Sequence, residues 1–557
     1  MDLDFLKKIP FNLDNEAIIW VSKTISSLTI KEKIGQILNL NCLNFDESRL
    51  KELLSFKPGA IHRLLTLKKS DLIDIEKYAS AHTGIPLLFS GDLENGIVSP
   101  FPDDFVYQSQ LGTAATGNPL YAEYMGVITA KLGKEYGFNW SFTPDIDIIM
   151  NFRSNITGTR TFGSNPDTVL SMASAYIQGM QSENMAVTLK HWPGDGVDER
   201  DQHLVTTNNT LKMDEWRKSF GRIYKELISQ GIKTIMSAHI TLPAYDREIN
   251  PDISIQDILP ASINSRLNNN LLRDELGFNG LIISDATLMG GLSSQGSRSV
   301  ILPKVIQNGC DMLLFTENTY TDISYLFSAY QRGHIAKDRL NIAVIRVLGL
   351  KASLGLHRKT NRNFSTIAAT LNKNEKNKLE LYADTCIKNS ITLVKDTQDI
   401  IPVSPEFYRR VLLIKTPEIP DFVTEAGDFK EVLEARGFAV TESTKEIDID
   451  PDLFDLIIYV LNQFEFFGEG SSRIQWPVLH KGIVRGLKRY WDIIPTIMIS
   501  LNNPFHLYEA PAVKTYINAY SSHEKILKAV VDMLIGKLTF KGGNPVDPFC
   551  SLDEAHL

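Results

Sequence analysis

Eight short apolar segments alternate with longer stretches whose apolar residues recur at helical spacing. The apolar segments are 35–40, 59–64, 85–92, 139–147, 185–191, 233–240, 280–286 and 311–316. The stretches between them include 118–137, 165–183 and 212–231, and a further helical unit, 14–27, precedes the first segment. An eightfold alternation of strand and helix predicts a closed barrel of parallel strands surrounded by helices, the (β/α)8 barrel.

A second set of alternating segments follows a change in composition after residue 356. The segment 357–375 is polar and rich in Asn and Lys, which is typical of an exposed linker. Five more apolar segments follow, again separated by helical stretches: 391–396, 410–415, 438–443, 455–462 and 495–504. We therefore predict a barrel domain over 1–356, a linker over 357–375 and a C-terminal α/β sandwich domain over 376–557.

The composition restricts the classes of function. The chain has 58 Lys and Arg against 66 Asp and Glu, and this net charge of −8 argues against a nucleic-acid-binding surface as its main function. No apolar run approaches the roughly 20 residues of a membrane helix, and the N-terminus is too polar for a signal peptide. The four cysteines lack metal-ligand spacing, so we expect free thiols in a reducing compartment. These features predict a cytoplasmic monomer or homodimer with no nucleic-acid or membrane partner.

Polar or ionisable residues stand at the carboxyl ends of most of the predicted barrel strands. They are Asp92, Asp145, Asp147, Lys190, His191, His239 and Asp285. The carboxyl ends of a parallel barrel meet at one face, and barrel enzymes carry their active sites there. The pattern predicts an active site at this face, although a single member such as Asp285 has the structural alternative of capping the next helix.

The segment 190–203, "KHWPGDGVDERDQH", follows the fifth predicted strand and is too rich in Gly and Pro for a regular helix. Asp201 and His203 are two residues apart, a spacing at which the carboxylate can orient the imidazole for proton transfer. A solvated acidic turn is one alternative. A metal site is another, but the segment lacks a compact metal-binding motif. After the fourth strand, Arg160 offers a planar fork for hydroxyl or carboxylate groups, with a surface salt bridge as its alternative.

Several of these stretches together resemble glycoside hydrolase family 3, in particular its β-N-acetylglucosaminidase branch. The similarity covers most of residues 30–356. It rests on "EKIGQ", "FTPDIDI", "TRTFGSNPDTV", "LKHWPGDGVDERDQH", "MSAHITLPAYD", "PASINSRLNNNLLRDELGFNGLIISDATLM" and "RLNIAVIRVLGLKASLGL". The second domain resembles the α/β sandwich of the family more weakly, through "ISLNNPFHL" and "INAYSSHEKILKAVVDMLIG".

The resemblance implies a retaining exo-glycosidase and a role for each matching residue. Asp285 is the implied nucleophile, and His203, paired with Asp201, is the implied acid/base. The residues implied to bind or support the sugar are Asp92, Arg160, Lys190, His191, Asp145, His239 and Met289. The implied substrate is a terminal N-acetylglucosamine on a peptidoglycan or chitin fragment. No metal and no cofactor is implied.

The sequence also departs from the pattern of the family. The strand-three motif, "GDLENGI", keeps Asp92 but differs after it, and Asp195 stands where many relatives have a second His. We predict the surrounding Pro-Gly-Asp-Gly to be a hinge, with Asp195, Asp198 and Glu199 on a solvated loop face. Asp285 is followed by Ala286 rather than by a second Asp, which leaves one candidate nucleophile.

Other functions stay open at this point. A His acid/base carries no negative charge to repel phosphate, so an N-acetylglucosaminide phosphorylase is chemically reasonable. A β-glucosidase or β-xylosidase of the same family would take its acid/base from the second domain, where Glu469 is available. A sugar-binding protein without catalysis and a metal-dependent hydrolase are the more distant alternatives.

Overall fold

A computed structural model describes residues 3–64, 68–94, 106–154, 156–358, 372–416, 428–463 and 473–557. The strands in chain order are β1 Leu38–Cys42, β2 Ala60–Arg63, β3 Leu88–Gly91, β4 Trp140–Ser141, β5 Ala186–Trp192, β6 Thr207–Asn208, β7 Thr234–Ser237, β8 Ile240–Thr241, β9 Leu281–Ala286, β10 Met312–Leu314, β11 Thr392–Asp396, β12 Arg410–Lys415, β13 Ala439–Glu442, β14 Leu456–Leu461, β15 Thr496–Ser500 and β16 Thr515–Asn518.

The helices of the barrel half are α1 Asn15–Ser27, α2 Ile30–Gln36, α3 Glu47–Ser55, α4 Lys69–Ala81, α5 Gln110–Ala115, α6 Pro119–Glu135, α7 Pro166–Ser182, α8 Met213–Trp216, α9 Arg222–Ser229, α10 Pro243–Ile249, α11 Gly290–Ser293, α12 Arg298–Gln307, α13 Thr319–Gln331 and α14 Lys337–Ser353. The later helices are α15 Lys373–Ser390, α16 Phe429–Glu434, α17 Trp476–Leu479, α18 Ile483–Gly486 and α19 Glu524–Leu534. Arg217–Gly221, between α8 and α9, and Arg266–Glu275 form wider π-type turns.

Eight parallel strands close into a barrel in the order β1-β10-β9-β7-β5-β4-β3-β2. Each of them overlaps one of the eight apolar segments, so the predicted barrel is confirmed. All residues of β2, β3, β5 and β7 are buried. The helices cover the outside of the barrel and side chains fill its inside, which is why these strands are buried on both faces and have apolar residues on both.

Asn-Pro pairs begin two long barrel helices. The Oδ1 atom of Asn118 accepts a hydrogen bond from the Leu120 N–H at 3.1 Å, and Oδ1 of Asn165 accepts one from the Asp167 N–H at 2.8 Å. Proline suits the first helical position because an N–H there would have no partner within the helix. The predicted helical stretches 118–137 and 165–183 are thus confirmed as α6 and α7, and Arg160 lies in the loop between β4 and α7.

The second sheet has six strands in the order β11-β16-β15-β14-β12-β13. The edge strand β11 runs antiparallel to β16, and the other neighbours are parallel. Separate hydrophobic clusters pack on its two faces, as in the predicted α/β sandwich. Five of the six strands match predicted segments. The sixth, β16, was missed because its four residues, "TYIN", form no apolar run of their own.

The two halves of the chain are in direct contact. The Gln108 side chain donates hydrogen bonds to Ser390 Oγ at 2.8 Å and to the Ala519 carbonyl at 3.0 Å, both beyond the barrel. The predicted linker falls mostly on residues outside the described ones, and the domain limits stay a prediction. All four cysteines are buried free thiols, as expected. Among the described residues, no helix has the length and apolarity needed to cross a membrane.

Candidate active site

The polar strand ends meet at one rim of the barrel. The Lys190 side chain, 2% exposed at the end of β5, reaches residues that follow β3. Its Nζ lies 3.1 Å from Asp92 Oδ1 and also contacts Glu94 Oε1. Asp92 is about one-third exposed, so its carboxylate faces the mouth of the barrel. The rim therefore offers a partly open carboxyl group above a buried ion-pair network.

Glu94 is the centre of that network, and the sequence prediction missed it. Its two carboxylate oxygens accept hydrogen bonds from Nε and Nη2 of Arg160, each at 3.0 Å, and one oxygen also contacts Lys190. Burial alone raises the pKa of Glu94, but the charges of Arg160 and Lys190 outweigh burial and lower it well below its usual value. The sequence did contain an indication of this role. Glu94 lies two residues after Asp92, and in an extended chain residues two apart point to the same side.

A second buried network joins His191 to the segment that follows β4. Its Nδ1–H donates to Asp147 Oδ2 at 2.6 Å, and its backbone N–H donates to Asp147 Oδ1 at 3.1 Å. Asp147 is thus the direct partner of His191, a role that the prediction did not assign, since it named only Asp145 of the two as a residue that binds or supports the sugar. The Oδ2 atom of Asp145 is buried with no hydrogen-bond partner among the described residues, and this oxygen suits a substrate hydroxyl.

These carboxylates also set the charge of His191. Burial lowers the pKa of His191, but the Asp147 carboxylate outweighs burial and raises the pKa from 6.5 to about 9. Burial and the Asp147 charge together raise the pKa of Asp145 to about 8. At neutral pH the group therefore holds an imidazolium beside one ionised and one neutral carboxyl.

The same three side chains meet the distance requirement for a metal site. One ligand atom from each of Asp145, Asp147 and His191 lies within 4.8 Å of the others. A histidine must lose its proton to bind a metal, and here the raised pKa keeps the proton on His191. Arg160 Nη2 lies 4.0 Å from Asp145 Oδ2 and supplies further positive charge. The donor set is therefore better suited to hydrogen bonding than to a divalent cation.

The raised pKa values predict that stability falls at alkaline pH. The stabilisation from protonated His191 is fully present below its unfolded pKa of 6.5 and is lost as the pH rises through about 9. At about 1.4 kcal/mol per pKa unit, the loss is about 3 kcal/mol. The raised pKa of Asp145 acts in the same direction, because the folded state keeps a proton that the unfolded chain releases. The thermal midpoint, measured from pH 6.5 to 9.5, should therefore fall.

An Asp147→Asn variant is the comparison for this prediction, because it removes the carboxylate that raises the pKa of His191. Its thermal midpoint should be lower at pH 6.5 and should change less between pH 6.5 and 9.5. A wild-type midpoint that stays constant or rises over this range would contradict the assignment of charges.

Asp285 lies at the end of β9 and is 7% exposed. One carboxylate oxygen accepts a hydrogen bond from the Ala286 N–H at 2.7 Å. Burial alone raises the pKa of Asp285, but the charges of His191, His239 and His203 outweigh burial and lower it. The carboxylate is therefore ionised at neutral pH, the state a nucleophile requires.

Asp201 and His203 form the predicted pair. The Nδ1 atom of His203 lies 2.7 Å from Asp201 Oδ1, and the His203 backbone N–H donates to the same oxygen at 2.8 Å. The Asp201 side chain is 5% exposed and that of His203 27% exposed. A carboxylate on Nδ1 fixes the tautomer and leaves Nε2 for proton exchange with a ligand.

His239 and Met289 lie beside the end of β9. Both ring nitrogens of His239 are engaged by the protein, Nδ1 with Ser262 Oγ at 2.9 Å and Nε2 with the Ala286 carbonyl at 3.0 Å. This arrangement favours support of the Asp285 strand over direct contact with a ligand. The Met289 N–H also bonds to the Ala286 carbonyl, at 3.1 Å, and its role in binding sugar stays a prediction.

The structure corrects the expected character of the loop that follows β5. Asp195 is 2% exposed, not on a solvated face, and its backbone N–H donates to Asp147 Oδ1 at 2.7 Å. Asp198 joins the two ends of the loop, because its Oδ2 accepts a hydrogen bond from the Asn208 N–H at 3.0 Å. The backbone N–H of Asp195 thus ties the loop to the barrel through Asp147, and its carboxylate accepts hydrogen bonds from Gly196 and Gln202 within the loop. Sequence spacing could not reveal the contact with Asp147. The predicted hinge remains a prediction.

A cavity of about 520 Å³ lies between this loop and the second half of the chain. The barrel side contributes Phe152, Arg153, Glu199, Arg200, Asp201, Leu204 and Val205, and the second half contributes Arg473, Asn503, Phe505, His506, Tyr508 and Glu509. Arg153 Nη2 donates to the Tyr508 hydroxyl at 2.7 Å and so links the two walls. Asp201 lines the cavity, whereas neither His203 nor Asp285 is among its described lining residues. Glu469 lies outside the described residues.

Comparison with known proteins gives consistent matches. Residues 29–350 match the model of the glycosyl hydrolase family 3 N-terminal domain. A β-N-acetylglucosaminidase/β-glucosidase of Cellulomonas fimi is 36% identical over 572 residues, 99% of this chain and 100% of that protein. A β-hexosaminidase of Nitrosomonas eutropha is 31% identical over 257 residues, 44% of this chain and 70% of that protein.

Solved structures extend the similarity to the whole chain. A β-glucoside phosphorylase bound to 2FGlc superimposes with a TM-score of 0.93 at 35% identity, covering 99% of this chain and 100% of that one. A family 3 β-N-acetylglucosaminidase of Paenibacillus sp. superimposes with a TM-score of 0.79 at 21% identity, covering 94% and 100% of the respective chains. The second similarity is one of fold alone.

Proposed function

The chain belongs to glycosyl hydrolase family 3, a family of enzymes acting on carbohydrates, and from this premise we propose that it is a retaining exo-β-N-acetylglucosaminidase. The observation that carries the proposal is the contact between Asp201 and His203 on the loop beside the nucleophile strand. In the resemblance described above, this pair characterises the N-acetylglucosaminidase branch. The proposed substrates are terminal N-acetylglucosaminides of peptidoglycan or chitin fragments.

The proposed reaction has two displacements at the anomeric carbon. Asp285 attacks and forms a glycosyl ester, while Nε2 of protonated His203 gives its proton to the departing oxygen. Neutral His203 then removes a proton from the incoming acceptor, whose oxygen displaces Asp285. Asp201 stabilises the imidazolium during each proton transfer. Both displacements invert the anomeric centre, so the released sugar keeps the β configuration.

The buried networks are proposed to hold the sugar. Asp92, Lys190 and Arg160 present charged donors and acceptors at the rim, and Asp145 presents an oxygen without a partner in the described protein. Hydrogen bonds to charged groups are stronger than neutral ones and orient a polyhydroxylated ring. Because Glu94 holds both Lys190 and Arg160 in place, little reorganisation is needed when the sugar binds.

Phosphorolysis is the second candidate, for a specific reason. The cavity that reaches Asp201 is lined by Arg153, Arg200 and Arg473, but Glu199, Asp201 and Glu509 also line it. Arg200 is moreover paired with Asp198, so the candidate is supported by the relative and not by the charge of the cavity. The relative of known structure that is 35% identical over nearly the whole chain is a β-glucoside phosphorylase. In that reaction, a phosphate oxygen rather than water displaces Asp285.

A substrate panel tests the proposed function. We expect turnover of an aryl β-N-acetylglucosaminide to exceed that of the matching β-glucoside by at least about tenfold in kcat/KM, the scale of one well-placed contact to the 2-acetamido group. The products should be identified with and without 10 mM phosphate, on the order of a physiological concentration. Free N-acetylglucosamine in both conditions supports hydrolysis, and the sugar 1-phosphate with phosphate present supports the second candidate. Equal or greater turnover of the glucoside would contradict the specificity.

A further inference from the structure

We propose that Gly290 and Gly291 form a seat that positions the loop of the acid/base, an inference that rests on the proposed function. The Gly290 N–H donates to the His203 carbonyl at 2.7 Å, and the Gly291 N–H donates to the Gln202 carbonyl at 3.2 Å. The Thr206 hydroxyl donates to the Gly291 carbonyl at 2.6 Å. Three hydrogen bonds thus join the loop to the first two residues of α11.

The seat requires glycine because of this close approach. A Cβ atom at residue 290 would lie 2.2 Å from the Leu204 carbonyl oxygen, and one at residue 291 would lie 2.5 Å from that of Gln202. These contacts are with backbone, which cannot move without moving the loop. Both glycines have ordinary backbone conformations, so the requirement comes from space and not from φ. Alanine would otherwise favour a helical position.

The seat also links the acid/base to the nucleophile. Gly290 is five residues after Asp285 in the chain. Gln202, which is fully buried, accepts a hydrogen bond from the His239 N–H at 3.0 Å, and His239 in turn bonds to the Ala286 carbonyl at 3.0 Å. The position of His203 relative to Asp285 is therefore fixed through one continuous set of contacts.

The internal geometry of the acid/base pair does not depend on the seat. Asp201 and His203 lie on the same loop and bond to each other within it. A displaced loop would carry an intact pair whose Nε2 no longer reaches the departing oxygen. Loss of the seat at Gly290 should therefore resemble the loss of acid catalysis, because the atoms nearest to a Cβ there all belong to the loop. A Cβ at residue 291 would also lie 2.8 Å from the Cβ of His239, which supports the Asp285 strand, so Gly291 is the less selective position. Gly290, Gly291 and Thr206 are positioning residues in this sense.

Substrates with different leaving groups separate this role from general damage. A 2,4-dinitrophenolate leaves without protonation, whereas an alkyl oxygen requires the acid. In kcat/KM, Gly290→Ala should lose at least about 30-fold on a methyl β-N-acetylglucosaminide and under about threefold on the dinitrophenyl compound, a substantial part of the usual 10²–10⁴-fold effect of acid catalysis. The alkaline limb of the pH profile on the methyl substrate should also flatten. His203→Ala provides the pattern for complete loss of the acid.

Two further variants make the test specific. Gly84→Ala is the matched control, since a Cβ there meets no atom within 4 Å, and it should keep both activities. Thr206→Val removes the hydroxyl without adding bulk, and it should show the same substrate-dependent loss to a smaller extent. Thermal midpoints show whether each variant is folded. If Gly290→Ala is not folded, the substrate dependence of Thr206→Val tests the seat.

The outcomes distinguish failure of the seat from failure of the proposed function. A selective loss on the methyl substrate in the seat variants supports the seat. Equal losses on both substrates, or no loss on either, would overturn the seat while leaving the proposed function intact. A wild-type protein that turns over neither N-acetylglucosaminide would overturn the proposed function and the seat with it.

Discussion

Replacing Asp285 with asparagine should lower kcat on an aryl β-N-acetylglucosaminide by at least about 10⁴-fold, on the scale observed when a covalent nucleophile is removed. Asparagine has nearly the same shape but cannot form the glycosyl ester. The carboxylate is buried, and the positive charge of His191 helps to hold its pKa below the usual value. Asp167→Asn, at a 77% exposed side chain, is the matched control and should retain wild-type activity.

A variant with a shorter side chain at position 285 identifies the role of Asp285 chemically. In Asp285→Ala, added azide should restore turnover of a dinitrophenyl β-N-acetylglucosaminide by occupying the space of the carboxylate. The product should be the α-glycosyl azide, because only one displacement then takes place. Retention of more than about a tenth of wild-type kcat in Asp285→Asn would rule out this nucleophile.

The Glu94→Gln variant should lose both stability and activity. The change leaves Arg160 and Lys190, which are 14% and 2% exposed, as neighbouring cations without their shared counter-ion. Breaking a buried ion pair in this way typically costs about 3 to 5 kcal/mol. We also expect kcat/KM to fall by about 100-fold, because the cations that would orient the sugar lose their positions. Thermal unfolding and steady-state kinetics measure the two effects.

The matched control for Glu94 is Glu317→Gln. That side chain is 69% exposed and lies 3.5 Å from Arg298, so its loss should change stability by less than about 1 kcal/mol and leave kcat/KM unchanged. Glu94→Asp keeps the charge on a shorter side chain and should have an intermediate effect. A Glu94→Gln protein with wild-type stability and kcat/KM would show that the network does not hold the site together.

The fold was predictable because burial of the barrel strands on both faces leaves a strong pattern in the sequence. Barrel strands such as β5 and β7 are buried throughout and begin in apolar runs, and helices such as α6 and α7 have both amphipathic spacing and an Asn-Pro start. The strand β16 escaped prediction because its sequence, "TYIN", has only two apolar residues between polar ends and forms no apolar run. It is identified only by its pairing with β15 and β11.

Residues of the candidate site were predictable where their role depends on a strand end or on a neighbour close in sequence. The carboxyl end of β9 marks Asp285, and the two-residue spacing of Asp201 and His203 makes their contact local. The prediction failed where partners are distant in sequence. Glu94 meets Lys190 across 96 residues, and Asp147 meets His191 across 44. Neither pairing leaves a periodic signal.

The sequence by itself determined the barrel, the sandwich, the rim of polar strand ends and the local Asp-His pair. Each follows from periodicity or spacing within a short stretch, where covalent geometry limits the outcome. Only the tertiary structure decided which carboxylate pairs with which cation and that Asp195 is buried. It also decided that the loop of His203 is hydrogen-bonded to Gly290 and Gly291. Those contacts depend on how the ends of separate strands converge on closure of the barrel, and that convergence is a property of the whole fold.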